Sequence, residues 1–396
     1  VIYVTTISER EKNMKKSHVL RASAFLIGLS LVAAACGGSD DDSSNDGGGD
    51  GAVTCDGTKI AFFGALTGDA GNLGQNIKKG LDLAVSEFNA ANTDCQITVE
   101  KYDSQGDPDQ APALAQKAID DANVLGIVGP AFSGESKAAL PLFEEAGLPI
   151  VSPSATNATL SQNGWTVFHR ALGGDDKQGP GIAAKITADG KTKVGIIDDN
   201  SEYGKGLADI IQTTLGASAV ELNSLDPEGS DYSAVVSAAK DAGVDSIFFG
   251  GYYAGAGKLA KQLRDAGVEV QLYFGDGVND KGFVEAAGPA GEGAIIGCTC
   301  APVDSNPKFY AAFKAKFSED PATYAAEAYD AANAFLDAII AGHKDRASIN
   351  TFLSTYDKAG VTKQIKWDAK GEVAGSAVYA FTVVNGVIMG TPGLIK

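Results

Sequence analysis

The sequence predicts an α/β protein with two open, mostly parallel sheets and helices on both faces of each. Three observations predict it. From residue 58, short β-like runs alternate with amphipathic helices. The run VLGIVGP is continuously apolar, as a strand buried on both faces is. The alternation runs to about residue 153 and restarts at residue 193. A chain of 396 residues has room for two such units.

In the first unit KIAFFGAL reads as a strand. IKKGLDLAVSEFNAAN reads as a helix, because Ile77, Leu81, Ala84, Val85 and Phe88 form one stripe. ITVEKYDS is a strand, DQAPALAQKAIDDA a helix and VLGIVGP a strand; SKAALPLFEEAG is a helix and LPIVSP a strand. The second unit runs KVGIIDDN (193–200), helix GLADIIQTTLG, strand SAVELNSLD, helix YSAVVSAAKDAG, strand VDSIFFGG, helix AGKLAKQLRDAG and strand VQLYFGD. A long helix, PATYAAEAYDAANAFLDAIIAG, lies within 301–345, and a shorter one near 347–359. The tail IKWDAKGEVAGSAVYAFTVVNGVIMG is β-like, with WDAKGE a turn between two strands.

The first strand is preceded by segments of another kind. Met14 is followed by Lys15, Lys16, His18 and Arg21, and residues 22–35 carry no charge. That is a basic region and an apolar run too short to span a bilayer comfortably. Ala33, Ala34 and Ala35 then precede Cys36. The pattern resembles a bacterial lipoprotein signal, although Ala33 stands where leucine is usual. Residues 1–35 are expected to be upstream residues and signal peptide, with Met14 the true start. Cys36 is expected to be lipidated, and residues 36–54 to form a flexible linker. GGSDDDSSNDGGGDG suits that role, since it has nothing apolar to bury and its aspartates repel one another. An ordinary secretory signal is the plainer reading.

Outside the cytoplasm disulfides are permitted. Cys55 and Cys95 each lie just before a strand. If those strands are parallel neighbours, both cysteines sit at one sheet edge, and a Cys55–Cys95 bond is expected. Cys298 and Cys300, two apart, either pair with strain or remain free thiols.

Acidic residues outnumber basic ones 50 to 32, for a charge of −18, which argues against a nucleic-acid surface. His18, His169 and His343 are scattered and make no metal cluster. GALTGDAGNLG lacks the GxGxxG spacing of a dinucleotide site, and no GxSxG, HExxH or zinc spacing occurs. Ser133 has no evident histidine base. No cofactor, metal or catalytic activity is expected.

Open α/β sheets bind ligands beyond the C-terminal ends of their strands. The candidate rims are GALTGDAGNLG, GPAFSGES, VSPSATNAT, DNSEYG, GGYYAG and GDGV. Ser133 opens a helix, where its hydroxyl and free N–H groups suit a carboxylate; a simple N-cap is the plainer role. Ser154, Ala155 and Thr156 offer hydroxyls and backbone groups, or merely a capped loop. Tyr203 and Tyr252 can cover apolar matter and donate hydrogen bonds, or belong to the core. Asp276 can pair with an ammonium, or make an Asx turn before Gly277.

At this point the residues resemble a known family. IIDDNSEYGKGL, FFGGYYAG, VSPSATNATLSQNG, RALGGDDKQGP and KWDAKGEVAG look, in order and spacing, like the periplasmic-type amino-acid-binding proteins of branched-chain ABC transporters, the Leu/Ile/Val-binding protein family. The resemblance implies the type I periplasmic-binding fold, two lobes joined by a hinge with a ligand cleft between them. It implies three crossings, with residues 57–173 plus 300–363 in an N-terminal lobe and 174–299 plus 364–396 in a C-terminal lobe. Ser133, Ser154, Ala155 and Thr156 match loops that grip the α-carboxylate and part of the ammonium, and Tyr203 and Tyr252 match cleft tyrosines. Asp276 falls where near relatives carry glutamate for the ammonium, and Leu73 near an aromatic residue over the ligand side chain. The family's first-lobe disulfide is absent, with Ser104 and Phe132 roughly in its region.

The implied function is extracytoplasmic capture of leucine, isoleucine or valine, and delivery to ABC permease subunits by lobe closure. The expected state is a lipid-anchored monomer on the outer side of the cell membrane. Another small amino acid, an amide, an organic acid or ligand sensing are alternatives, and an enzyme ranks lower.

Overall fold

The structure, a computed structural model, describes residues 54–226 and 229–394. The expected signal segment, the Cys36 lipidation site and the linker up to residue 53 lie outside the described residues.

The first lobe opens with β1 (Lys59–Gly64), α1 (Gly71–Ala91), β2 (Thr98–Asp103), α2 (Ala111–Asp120) and β3 (Val124–Val128). It continues with α3 (Ser133–Glu145), β4 (Ile150–Ser152) and β5 (Phe168–Arg170). The sheet order is β2-β1-β3-β4-β5, parallel throughout. β1 and β3 are buried along nearly their whole length, as strands covered on both faces must be.

The second lobe runs α4 (Asp175–Ala188), β6 (Val194–Asp198), α5 (Glu202–Leu215), β7 (Ala219–Glu221), α6 (Ser233–Ala242) and β8 (Ser246–Gly250). α7 (Tyr253–Asp265), β9 (Gln271–Phe274), α8 (Lys281–Ala287) and β10 (Ile295–Cys298) follow. The chain then returns to the first sheet with α9 (Pro307–Phe317), α10 (Ala325–Ile340) and α11 (Arg346–Ser354), and forms the hairpin β11 (Asp357–Ala359) and β12 (Gln364–Lys366). β13 (Tyr379–Val384) and β14 (Val387–Leu394) add antiparallel to the second sheet, in the order β14-β13-β10-β9-β8-β6-β7.

The chain therefore passes between the sheets three times, and the passing segments are tied together. Trp367 Nε1 donates to Arg170 O at 2.8 Å, Arg170 N to Gly371 O at 3.0 Å, and Thr299 Oγ1 to Gly173 O at 2.7 Å.

Several expectations shift. α1 begins six residues before the apolar run starting at Ile77, because Gly74 lets the first turn press on β1's exit: a Cβ there would stand 1.6 Å from Ala65 O. SAVELNSLD yields only the short edge strand β7. None of α4, β5, α8, β10 and α9 is among the elements expected from the sequence. α4 holds Gly179, Pro180 and Gly181, residues that ordinarily weaken a helix, yet Gly179 and Gly181 admit Ile210 and Val378 against it. The helix expected from residue 321 starts at Ala325, since Tyr324 takes a left-handed conformation, φ +71°. The WDAKGE turn closes a single bridge, Trp367 to Val373, and the chain beyond it pairs with the other sheet.

β1 and β2 pair in parallel, and Cys55 is bonded to Cys95. Cys298 is bonded to Cys300, which resolves the alternative left open by the sequence. The return helices complete the first core. A Cβ on Gly126 would stand 2.3 Å from the Phe335 ring, so β3 leaves the space that this fully buried phenylalanine fills. Burying such a side chain contributes ~1.5–3 kcal/mol.

Candidate functional site

The two sheets bring strand ends of both lobes together. β3 and β4 are neighbours, so α3's start and the loop after β4 lie side by side. Ser133 Oγ accepts from Asn157 N at 3.2 Å, and Ser154 Oγ donates to Ala131 O at 2.6 Å. Ser152 Oγ donates to Pro130 O at 2.7 Å and accepts from Ala155 N at 3.0 Å. Arg170, fully buried, props the loop from behind: Nη1 donates to Ala155 O at 3.2 Å and Asn157 O at 3.1 Å, while Glu372 takes its Nε at 2.8 Å and also its Nη2. The sequence-predicted residues Ser133, Ser154, Ala155 and Thr156 thus form one buried patch.

The opposing patch centres on Asp276, fully buried just after β9. Its Oδ1 accepts from Tyr203 OH at 2.6 Å and Gln178 Nε2 at 2.9 Å; its Oδ2 accepts from Tyr324 OH at 2.7 Å. Gln178 Oε1 accepts from Asp276 N at 3.0 Å, which fixes the amide. Burial pushes the Asp276 carboxyl up, against the pull of these donors. Burial, then the Asp276 charge, raises the Tyr203 and Tyr324 hydroxyls, so both remain donors. Tyr324 belongs to the first lobe, so its bond to Asp276 spans the cleft.

Tyr252 caps α7, and its ring lies 5.3 Å from Tyr203 and 4.9 Å from Phe132 of the other lobe. The lobes also meet through Asn72 Nδ2 and Asp280 Oδ1 at 2.9 Å, Asn157 Nδ2 and Glu202 O at 2.7 Å, and Lys137 Nζ and Glu202 Oε2 at 2.8 Å. This is a closed arrangement. Leu73 is fully buried in α1, in the same apolar cluster as Phe132, Val278 and Tyr324, with Tyr252 packed on it.

Ser104 and Phe132 are joined through Glu135, which contacts Ser104 Oγ and takes Phe132 N at 2.9 Å. Burial pushes this carboxyl up to about 7. A cavity of about 700 Å³ adjoins Tyr252, Phe132 and Glu135 between the lobes. A larger hollow, about 1050 Å³, lies against Trp367 and Glu372, and none of the expected ligand residues lines it.

Sequence reasoning missed Asp175, Gln178 and Tyr324. The first two lie in RALGGDDKQGP, a segment that resembles the family but whose Gly and Pro content conceals its helix. Their i, i+3 spacing is the signal that places both on one face of α4. Tyr324 carried none, since it sits in what reads as continuous helix.

Hydroxyls, a buried carboxylate and tyrosines from two lobes, gathered between facing strand ends, define a two-lobed solute-binding protein. The family model described as "Periplasmic binding protein" matches residues 57–387, and the chain belongs to that family, with the type I periplasmic-binding fold. It is 30% identical over 345 residues to the leucine-specific-binding protein of Salmonella typhimurium, covering 81% of this chain and 89% of that one. It is 29% identical over 344 residues to the leucine-, isoleucine-, valine-, threonine- and alanine-binding protein of Pseudomonas aeruginosa, covering 84% and 90%. It superposes, with a TM-score of 0.78 and 29% identity over 84% of this chain and 99% of the other, on the branched-chain amino acid transporter substrate binding protein LivJ of Streptococcus pneumoniae in complex with isoleucine. These relatives are substrate-binding proteins, not enzymes.

Proposed function

We propose that the protein captures a branched-chain amino acid outside the cytoplasm and presents it, lobes closed, to an ABC permease. One observation carries the reading: Asp276 is a fully buried carboxylate held by donors from both lobes. A carboxylate has about four acceptor positions, and Tyr203, Tyr324 and Gln178 take three of them. The fourth suits the ligand's ammonium, which needs an anion once out of water. The start of α3 at Ser133 and the Thr156 hydroxyl supply donors for the α-carboxylate, on a loop that Ser154 and Ala155 hold in place. Leu73, Tyr203 and Tyr252 enclose the apolar side chain. What the relatives are named as binding supports leucine, isoleucine or valine as ligand.

The two moving bodies are residues 57–173 with 300–363, and 174–299 with 364–396. The protein acts as a monomer, tethered through lipidated Cys36 to the extracytoplasmic side of the cell membrane. A titration calorimetry screen of L-amino acids against benzoate and short fatty acids tests the ligand. Binding of leucine, isoleucine or valine supports the reading, and a response confined to carboxylates without an amine contradicts it.

A further inference from the structure

Asp175 opens α4 and is fully buried. Its N donates to Thr156 O at 2.7 Å, which pins it to the first lobe's ligand loop. Its Oδ1 accepts from Gln178 Nε2 at 3.2 Å, and the same nitrogen reaches Asp276 Oδ1 at 2.9 Å. One amide thus bridges two buried carboxyls. Asp175 Oδ2 and Thr156 Oγ1 are both buried, and among the described residues neither has a hydrogen-bond partner of full geometry; the Thr156 hydroxyl lies close enough to pull the Asp175 carboxyl down in part, without offsetting its burial. A buried carboxylate oxygen left unpaired is costly, and so are two carboxylates facing each other.

The charged and titratable groups around the pair do not relieve this. Arg170 lies nearby, but Glu372 already pairs with it. Asp176 adds a further negative charge, and Tyr203, Tyr252 and Tyr324 present neutral hydroxyls. Glu135 and Asp199 lie beyond Tyr252 and are acidic too. Burial, then the Asp276 charge, raises the Asp175 carboxyl well above the usual range.

We propose that Asp175 is a second anionic partner for the ligand's ammonium, and that the Asp175–Asp276 pair exchanges one proton for it. In the empty site the pair holds one proton and carries one negative charge. When an R–NH₃⁺ group seats beside Asp175 Oδ2, Thr156 Oγ1 and Asp276, that proton leaves to solvent. Two carboxylates and one ammonium again sum to one negative charge, so the buried charge is unchanged. The site thereby demands a primary ammonium and discriminates against neutral and purely anionic solutes. This rests on the amino-acid reading above.

The test is calorimetry of the protein with L-leucine near pH 7, in buffers of different ionisation enthalpy, beside 4-methylpentanoate, which lacks the amine. Wild type is expected to release close to one proton with leucine and none with 4-methylpentanoate. Asp175→Asn is expected to abolish the release and weaken leucine binding about tenfold to hundredfold. Unchanged affinity and unchanged release in Asp175→Asn overturn the proposal. If wild type binds no branched-chain amino acid, the assigned ligand falls, and the ligand-free proteins decide the pair. Wild type is expected to lose melting temperature as pH rises through neutrality more steeply than Asp175→Asn. Equal slopes overturn the proposal.

Discussion

Asp276 concentrates the chemistry at the scale of single residues. Asp276→Ala removes the one carboxyl among the sequence-predicted ligand residues. Losing the partner of a buried charge costs ~3–5 kcal/mol, so leucine affinity is expected to fall by at least about a hundredfold in calorimetry. Stability should fall less than binding does: removing an unfavourably buried carboxyl partly offsets the loss of the acceptor shared by Tyr203, Tyr324 and Gln178. Tyr324→Phe keeps the ring and deletes the bond across the cleft to Asp276. A hydrogen bond to a charged group is worth ~1.5–3 kcal/mol, so affinity should drop about tenfold or more. Tyr203, Tyr252 and Asp276 were legible because each follows a buried strand closely, Tyr252 and Asp276 in its exit loop and Tyr203 in the first turn of the next helix, where an open sheet exposes its rim. Tyr324 was not, because a left-handed residue before a helix leaves no mark when the flanking residues also favour helix. Asp175 and Gln178 were hidden with their helix.

At the scale of elements, close contacts decide what pattern alone cannot. α1 and α10 cross at Gly80, where a Cβ would stand 2.0 Å from Ala325 O. Replacing a helical glycine with alanine ordinarily gains ~1 kcal/mol. Here Gly80→Ala must push α10 away, and denaturant unfolding should show a loss of ~1–3 kcal/mol instead. The Cys55–Cys95 bond closes a loop of sequence separation 40 around β1 and α1. Its removal, as the double alanine variant, should cost ~2–4 kcal/mol of stability by the same measurement. The alternating elements of both lobes were readable because apolar stripes and buried strands follow from periodicity. α4 was not, because its glycines serve packing against Ile210 and Val378 while resembling a breaker signal. β10 and the return to the first sheet depend on contacts distant in sequence, which periodicity does not carry.

At the scale of the whole molecule, the lobes are joined by three bonded crossings and meet across a cleft lined with buried acids. Burial raises Glu135 to about 7 and Asp199 to about 6, above their ordinary values of 4.5 and 3.8. The folded state therefore keeps protons that the unfolded chain has shed. Their contribution to stability is complete at acid pH and is lost as pH rises through 6 and 7. His169, lowered by burial to about 4, acts oppositely: its contribution is present above pH 6.5 and lost as pH falls. Above pH 6.5 His169 adds nothing further, and the raised carboxyls pull stability down as pH rises. Melting temperature should fall from pH 6.5 to 8, with Glu135 contributing roughly 1 kcal/mol. Glu135→Gln should flatten it.

The central claim is that this cleft closes on a branched-chain amino acid through Asp276. Titration calorimetry of wild type and Asp276→Ala with L-leucine tests it most directly. Saturable one-to-one binding to wild type is expected, with affinity at least about a hundredfold weaker in the variant. Absence of binding to wild type, or equal affinity in both proteins, would contradict it.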